Sequence, residues 1–588
     1  MSVWSDGLSA LSSQVWTVFI ILILCLWGML TIRIFLQRGL EKTLTEIEII
    51  TLSAVGWIFP LLLLAIITFL VALFTNLVTA GIFVVLIFFS STFLIVREKI
   101  NVLIGLKFLL FLIVVIVLRF AFLKNLFLPS YFDSAEHYRL ISLIINAYKF
   151  GAVSSGLIDT FYHLGFHFIA AFFSVFLQVR IIDFMLVFGQ ITLAFLSSAL
   201  FFVVKRETGS SSSAVFTCLL STFGFHMPAY LMNWGKYPAL LGLTAILFVL
   251  GLAYMIYRKD IFQVHKTFFI FLAGIFLLSV FIHSRTFIVL STMLIAILVT
   301  ALWRRLNSLH RFIGFCVLIL VISILLNSVK NSVVLSPLLE SYFRGDVWML
   351  LLVLGLTFAS LFHYAKQSFF LILWLTIMLL CMFVPVTLPR VGVQTLLDRP
   401  FVQMFAVVPL SILGGLGSSA LMELFARLNV NQKIFRYLTP IILVGTVIMN
   451  VALSYNFYSS SCCRFVTLDD LAAFSWMERS LPGEQKILVA SSNLYVNLLD
   501  SGQTPAGVDA GVWLSPLLSY ETIFAERGIS FDVKTTYTEL CASNIDYIYV
   551  GGMPDSFNSA QLDNHPNWYS SSFILPSARI YQVIGCER

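Results

Sequence analysis

The run NVLIGLKFLLFLIVVIVLRFAFL (residues 101–123), followed by the polar island Tyr131-Phe132-Asp133-Ser134-Ala135-Glu136-His137-Tyr138, decides the reading of this chain. The first is long and apolar enough to cross a bilayer. The second puts two acids and a histidine where the chain leaves it. Runs like the first recur from about residue 15 to residue 456, some fourteen in all, the clearest near 15–36, 50–74, 77–96, 181–204, 236–257, 285–303, 311–328, 346–364, 367–385, 401–425 and 436–456. Hydrocarbon cannot satisfy a bare backbone, so these runs must be helical. The chain is 60% hydrophobic and 11% charged, with mean hydropathy +0.97, which excludes an ordinary soluble protein. The first span is too long for a signal-peptide core and has no basic residue before it, so it is read as a retained helix.

Composition changes after Tyr458. The whole chain holds 36 Lys+Arg and 29 Asp+Glu; residues 459–588 hold 7 and 14, leaving 29 and 15 for residues 1–458. The overall +7 is therefore a sum of unlike parts and does not point to nucleic acid. The basic excess is that of cytoplasmic loops, and the acidic tail reads as an exported soluble domain. Two units follow: a multi-spanning domain, 1–458, with an outer loop at 124–180, and an extracytoplasmic domain, 459–588.

Charge placement orients the spans. Arg33, Arg38 and Lys42, then Arg97 and Lys99, Lys205 and Arg206, Arg258 and Lys259, Arg304, Arg305 and Arg311, and Arg427, Lys433 and Arg436 mark cytoplasmic loops. The N-terminus, Asp133, the turn at Asn233–Pro238, His283, Arg285 and the tail are then expected outside, in the cell membrane's outer aspect. Residues 155–180, with Asp159, His163 and His167, fit a juxtamembrane or re-entrant segment, or two short crossings. Ionisable residues inside spans are few (Lys107, Arg119, Asp183) and lie toward span ends, whereas a proton-coupled carrier needs such groups deep in the bundle.

The island has two compatible readings. Asp133 can cap a helix 134–150 that ends at Gly151, with Glu136 at its third position. A rigidly held Asp at a bundle mouth also suits a general base. Asp133, Glu136 and His137, at i, i+3 and i+4, share a face and could bind a divalent cation. His163 and His167, also i and i+4, lack the companion ligands of a zinc site and are read as packing or substrate-contact residues. Lys236, with Trp234 and Tyr237 beside it, is either a snorkelling lysine in a tight turn or a phosphate-binding charge. Arg285, next to His283, is either a span-end anchor or a phosphate clamp. Arg344, Arg390 and Arg399 lie in the other outer loops.

In the tail, Thr467 and Asp470 have capping-box spacing before a helix over Leu468–Arg479 that stops at Pro482-Gly483. Strands are expected at Lys486–Ala490, Asp546–Val550 and Arg579–Ile584, and helices at Tyr520–Arg527 and Thr535–Ala542, giving a small α/β layer. Cys25, Cys218, Cys316 and Cys381 read as core filler. Cys462, Cys463, Cys541 and Cys586 could form disulfides outside the cell, and Cys541 or Cys586 is expected to be bonded.

Taken together, Asp133…His137-Tyr138, Tyr162-His163-Leu164-Gly165-Phe166-His167, Lys236-Tyr237-Pro238, His283-Ser284-Arg285-Thr286 and the exported tail resemble the GT-C superfamily of multi-spanning membrane glycosyltransferases and bacterial membrane proteins related to it. The resemblance implies an all-α polytopic bundle of GT-C type with a small C-terminal α/β extracytoplasmic domain. It implies sugar transfer, commonly with inversion, from a polyprenyl-phosphate donor to a glycan, lipid or protein acceptor on the outer face. Asp133 would be the general base and Lys236 or Arg285 would stabilise the departing phosphate. His163 or His167 would position a substrate, with Glu136, His137, Tyr237 and His283 around them. Three other readings stand beside it: a transporter or lipid flippase, a surface-polysaccharide polymerase or ligase working through Arg344, Arg390 and Arg399, and a scaffold whose tail is the working part.

Overall fold

The computed structural model describes residues 2–40, 44–96, 102–158, 160, 162–257, 266–303, 305–306, 308–388, 392–427, 432–497 and 503–586. Lys42, Arg97, Lys99, Asp159, Arg258, Lys259, Arg304 and Arg390 lie outside the described residues, as does the side chain of Arg344. Ten described helices are long and apolar enough to cross a membrane, among them Leu103–Leu123, Ile181–Thr208, Ser211–Trp234, Tyr237–Ile256 and Arg399–Phe425. Five shorter apolar helices accompany them: Gly165–Leu177, Ile270–Ile282, Val347–His363, Ala365–Cys381 and Leu438–Leu453. The sequence count of about fourteen took long and short helices together.

Small residues let the helices approach closely, as bilayer packing requires. A Cβ on Gly417 would stand 2.1 Å from the Leu356 carbonyl oxygen, and one on Gly28 2.4 Å from that of Trp57. The helix Ser2–Ser13, which the span pattern does not reveal, precedes the first span. Its Asp6 is held by Lys124 Nζ at 3.0 Å and by the Tyr458 hydroxyl at 2.8 Å, joining the N-terminus, the outer loop and the linker to the tail. Far from these, Arg33 pairs with Glu46 at 2.9 Å and Arg206 with Glu48 at 3.4 Å.

The segment 155–180 fits the juxtamembrane or re-entrant reading better than two crossings. It contains the helix Gly165–Leu177, whose 13 residues rise about 20 Å at 1.5 Å each, short of a 30 Å hydrocarbon core. Its first nine residues are buried. A hairpin of β1 (Pro385–Leu388) and β2 (Gly392–Thr395) forms where the sequence reading expected only a loop, 386–400.

The tail is an α/β layer domain, as expected, built on β3 (Lys486–Asn497), β4 (Gln503–Gly507), β5 (Glu521–Glu526), β6 (Tyr547–Val550), β7 (Tyr569–Ile574) and β8 (Arg579–Val583). Strand β3 is flanked by parallel β5 along its first half, by antiparallel β4 along its second, and by parallel β6 on its other edge; β8 and β7 extend the sheet antiparallel. The Thr467/Asp470 capping box forms at the head of helix Leu468–Ser480. The expected helix at Tyr520–Arg527 is instead β5. Six residues paired in parallel with β3 outweigh the helix-forming Glu and Ala of that segment. Cys541 is bonded to Cys586, and Cys462 to its neighbour Cys463.

Candidate functional site

The helix Tyr131–Phe150 carries the polar island and ends, as the sequence indicates, in a left-handed Gly151. Its start differs from expectation. Ser130, extended at φ −66° and ψ 146°, occupies the N-cap, and Asp133 lies inside the first turn and does not cap it. Tyr131 takes φ +70°, a conformation that bulky residues rarely adopt. The carboxylate of Asp133 is therefore left for a tertiary partner, and that partner is Lys236, with which it forms an ion pair.

Glycine chemistry explains the pairing. The six-residue turn Ala229–Trp234 closes on Gly235, at φ +62°, before the helix Tyr237–Tyr257 begins. A Cβ at Gly235 would lie 2.3 Å from Ser134 Oγ and 3.0 Å from the Ser130 carbonyl oxygen. Only a glycine lets this turn press on the first turn of the Asp133 helix, and the next residue, Lys236, then meets Asp133. The side chains are 20% (Asp133) and 36% (Lys236) exposed, so the pair stands at an opening. Burial works against the Lys236 ammonium, and Asp133 more than offsets it, leaving the lysine pKa above its ordinary value.

Behind this pair lies a layer of histidines and aromatics. His137 Nδ1 and His167 Nε2 are 3.0 Å apart, sharing one proton-mediated contact. His163 packs against His283 with ring centroids 3.7 Å apart and planes tilted by 38°, and the Tyr162 ring centroid lies 3.7 Å from that of His163. Tyr237 stacks on Phe166 at 5.2 Å. Burial, then the Lys236 ammonium, pushes the His137 imidazole down to about 3. Burial and the neighbouring His283 likewise push His163 well below the ordinary histidine range, and burial with Arg285 does so for His283. These rings are neutral near pH 7, which allows them to pack without repulsion.

Two candidates are engaged elsewhere. Glu136 pairs with Arg139 at 3.1 Å on its own helix. Arg285 pairs with Asp398 and donates to Gln394 Oε1 at 3.0 Å. Neither partner was evident from the sequence; Asp398 is 113 residues away. Among the described residues no group of three His, Cys, Asp or Glu side chains is placed to hold a metal ion, so Asp133, Glu136 and His137 share a face without converging on one.

The tail covers the adjoining face of the same helix. Leu128, Phe132 and Ala135 are buried with Phe465, Val512 and Trp513 in one apolar cluster. Tyr131 meets Phe465 at 5.6 Å and Tyr138 meets Trp513 at 5.9 Å.

Asn233 and Trp234, in the turn that closes on Gly235, also line a cavity of about 360 Å³ whose walls carry both polar and apolar side chains. Arg119, His226, Asn233, Asp346, Arg399 and Asn450 line it. Asn233 and Trp234 stand in the cavity wall and Lys236 follows them in the same turn, so the cavity adjoins the ion pair. His226 and Asp346 are 120 residues apart in sequence, His226 between the segments Leu220–Gly224 and Ala229–Trp234 and Asp346 at the head of the helix Val347–His363; nothing in the sequence couples them. No protein-family model matches the chain, and no curated protein is significantly similar to it.

Proposed function

We propose that this chain is an integral membrane glycosyltransferase that moves a sugar from a polyprenyl-phosphate donor to an acceptor hydroxyl, on the outer face of the membrane. The observation that carries the reading is the Asp133–Lys236 pair: an accessible carboxylate and an ammonium held together at the mouth of a helical bundle, beside a cavity lined in part by charged and amide side chains and under a folded tail. The bonded Cys541 and Cys586 fit a tail in an oxidising compartment.

In this reading Asp133 accepts the proton of the acceptor hydroxyl. The acceptor oxygen forms a bond to the sugar's anomeric carbon. The bond from that carbon to the phosphate oxygen breaks, and its electron pair leaves on the phosphate. Once Asp133 is protonated, Lys236 no longer has a carboxylate to neutralise, and its charge becomes available to the phosphate as negative charge develops there. Proton transfer and leaving-group stabilisation are thereby linked through one ion pair. Arg285, neutralised by Asp398, is a poorer candidate for the phosphate. The neutral histidine layer keeps the site dry without adding charge.

The test is transfer of radiolabelled hexose from membrane-extracted polyprenyl phosphate to envelope glycan by the full chain in vesicles. Wild type is expected to form labelled product, and Asp133→Asn to lose roughly 10²- to 10⁴-fold. Equal product from both would end the reading. Vesicles that accumulate label with no product would replace it with a carrier.

A further inference from the structure

The cavity beside the ion pair has an unbalanced charge. Arg119 is 4% exposed, yet no carboxylate among the described residues pairs with it. Its guanidinium donates to the Thr222 carbonyl oxygen and the Tyr455 hydroxyl, and lies 5.1 Å from the Phe223 ring centre and 5.4 Å from that of Tyr455. Its Nε is buried with no hydrogen-bond partner. Arg399, on the same cavity, is half-buried and forms no ion pair or side-chain hydrogen bond with any described residue. The acid at hand, Asp346, is already occupied: it accepts from the His226 backbone N–H at 3.1 and 3.2 Å and pairs with the His226 ring. Two buried or half-buried guanidinium groups thus face a space whose one carboxylate is taken. Such groups are costly to desolvate without an anion, and their planar forks suit an oxyanion.

The rest of the lining mixes aromatic rings with amides. Tyr230 and Trp234 pack edge to face at 5.1 Å, and Gln190 and Asn450 bring amides. Aromatic planes for a C–H face and amides for hydroxyls are what a sugar ring needs, and 360 Å³ is within the range of small-molecule sites.

We propose that this cavity binds a sugar carrying an oxyanion, a carboxylate or a phosphate, with Arg399 and Arg119 as its anion contacts. The inference rests on the transferase reading only for the role of that sugar as a substrate; the binding itself does not.

The experiment is calorimetric titration of the full chain in lipid nanodiscs with glucuronate, glucose 6-phosphate, glucose and a short prenyl phosphate. Glucuronate or glucose 6-phosphate is expected to bind at least tenfold more tightly than glucose. Arg399→Gln should weaken the anionic sugar by roughly ten- to a hundredfold, and Arg399→Lys by less. Glucose affinity should not change in either variant, which also reports that the cavity is intact. Equal affinity for glucuronate and glucose, or no effect of Arg399→Gln, would overturn the proposal. So would tight binding of prenyl phosphate alone that Arg399→Gln abolishes, since the arginine would then serve a lipid headgroup. Asp133→Asn, which frees the Lys236 charge beside the cavity, should not weaken glucuronate binding while it abolishes transfer, so loss of transfer and loss of anion binding fail separately.

Discussion

Asp133 and Asp509 are carboxylates in opposite surroundings, one in each domain. Asp133 stands at an opening, 20% exposed, with an ammonium for a partner. Asp509 is fully buried in the tail, where no cation meets it; it accepts from the Gly511 N–H at 2.9 Å, the Gly551 N–H at 3.3 Å and the Ser556 hydroxyl. The Asp509 oxygens are used by the backbone turns that they hold in place, and a Cβ on Gly551 would approach within 2.9 Å of its side chain. Such an acid ties loops together. The Asp133 carboxylate has one side-chain partner and an open approach, so its charge can act on something else. Burial alone would single out Asp509; accessibility and the nature of the partner single out Asp133.

The largest expected effect separates the two directly. Asp133→Asn should lower transfer about 10³-fold, equivalent to about 4 kcal/mol of barrier, while leaving the melting of the full chain near that of wild type. Asp509→Asn should do the reverse, with activity per folded molecule unchanged and tail stability altered. Parallel transfer assays and melts of the two variants decide it, and a loss of transfer in Asp509→Asn with normal folding would break the contrast.

A similar magnitude is expected from the tail's cross-link, on stability alone. Cys541 and Cys586 close a loop of 45 residues in sequence. Replacing both by serine should destabilise the tail by about 4 kcal/mol on loop entropy, visible as earlier protease cleavage within 459–588. Transfer should fall only where the tail unfolds, because its contacts with Phe132 and Tyr138 cover the Asp133 helix. Smaller again is the effect of Lys236→Met. The pair is partly exposed, so the cost in stability should be about 1 kcal/mol. Transfer should drop further than stability does, and Lys236→Arg should recover part of it. Equal activity in Lys236→Met and wild type would remove the lysine from the phosphate.

Local pattern made much of this legible: the apolar spans, the helix ending at Gly151, the Thr467 capping box and the strand ending at Gly551. Each depends on residues within one turn or a few positions. The same locality explains the failures. Asp133 and Ser130 both suit an N-cap, and the Gly235 turn, a hundred residues on, leaves Asp133 to Lys236. Sequence reasoning gathered Asp133, Glu136, His137, His163, His167, Lys236, Tyr237, His283 and Arg285 by counting crossings; the fold brings them into one region, with Glu136 turned to Arg139 on its own helix. It could not see that Asp398 neutralises Arg285, or that His226 and Asp346 share a cavity with Arg119. Glu521–Glu526 mixes helix and strand formers, and its pairing with β3 settles the matter from outside the segment.

The finest difference between the two regions is in their response to acid. Folded His137 holds its pKa at about 3 against an ordinary 6.5, through burial and the Lys236 charge. As pH falls below about 6.5 the unfolded chain takes a proton that the folded site refuses, so the site region loses stability down to about pH 3. Asp509 has the opposite sign. Burial raises it to about 6 against an ordinary 3.8. Between those values the folded tail holds a proton that the unfolded chain does not, so the tail gains stability as pH falls from about 6 to about 4. Hydrogen exchange of the full chain from pH 7.5 to 4.5, corrected for intrinsic rates, should show protection falling in residues 131–150 and rising in Tyr547–Val550. Asp509→Asn should reduce the rise, leaving the part that comes from Asp470, whose carboxyl is also raised by burial, and should leave the fall. If protection in both regions moves the same way, the two networks are not electrically distinct, and Asp133 loses its claim to be the acid whose charge is free to act.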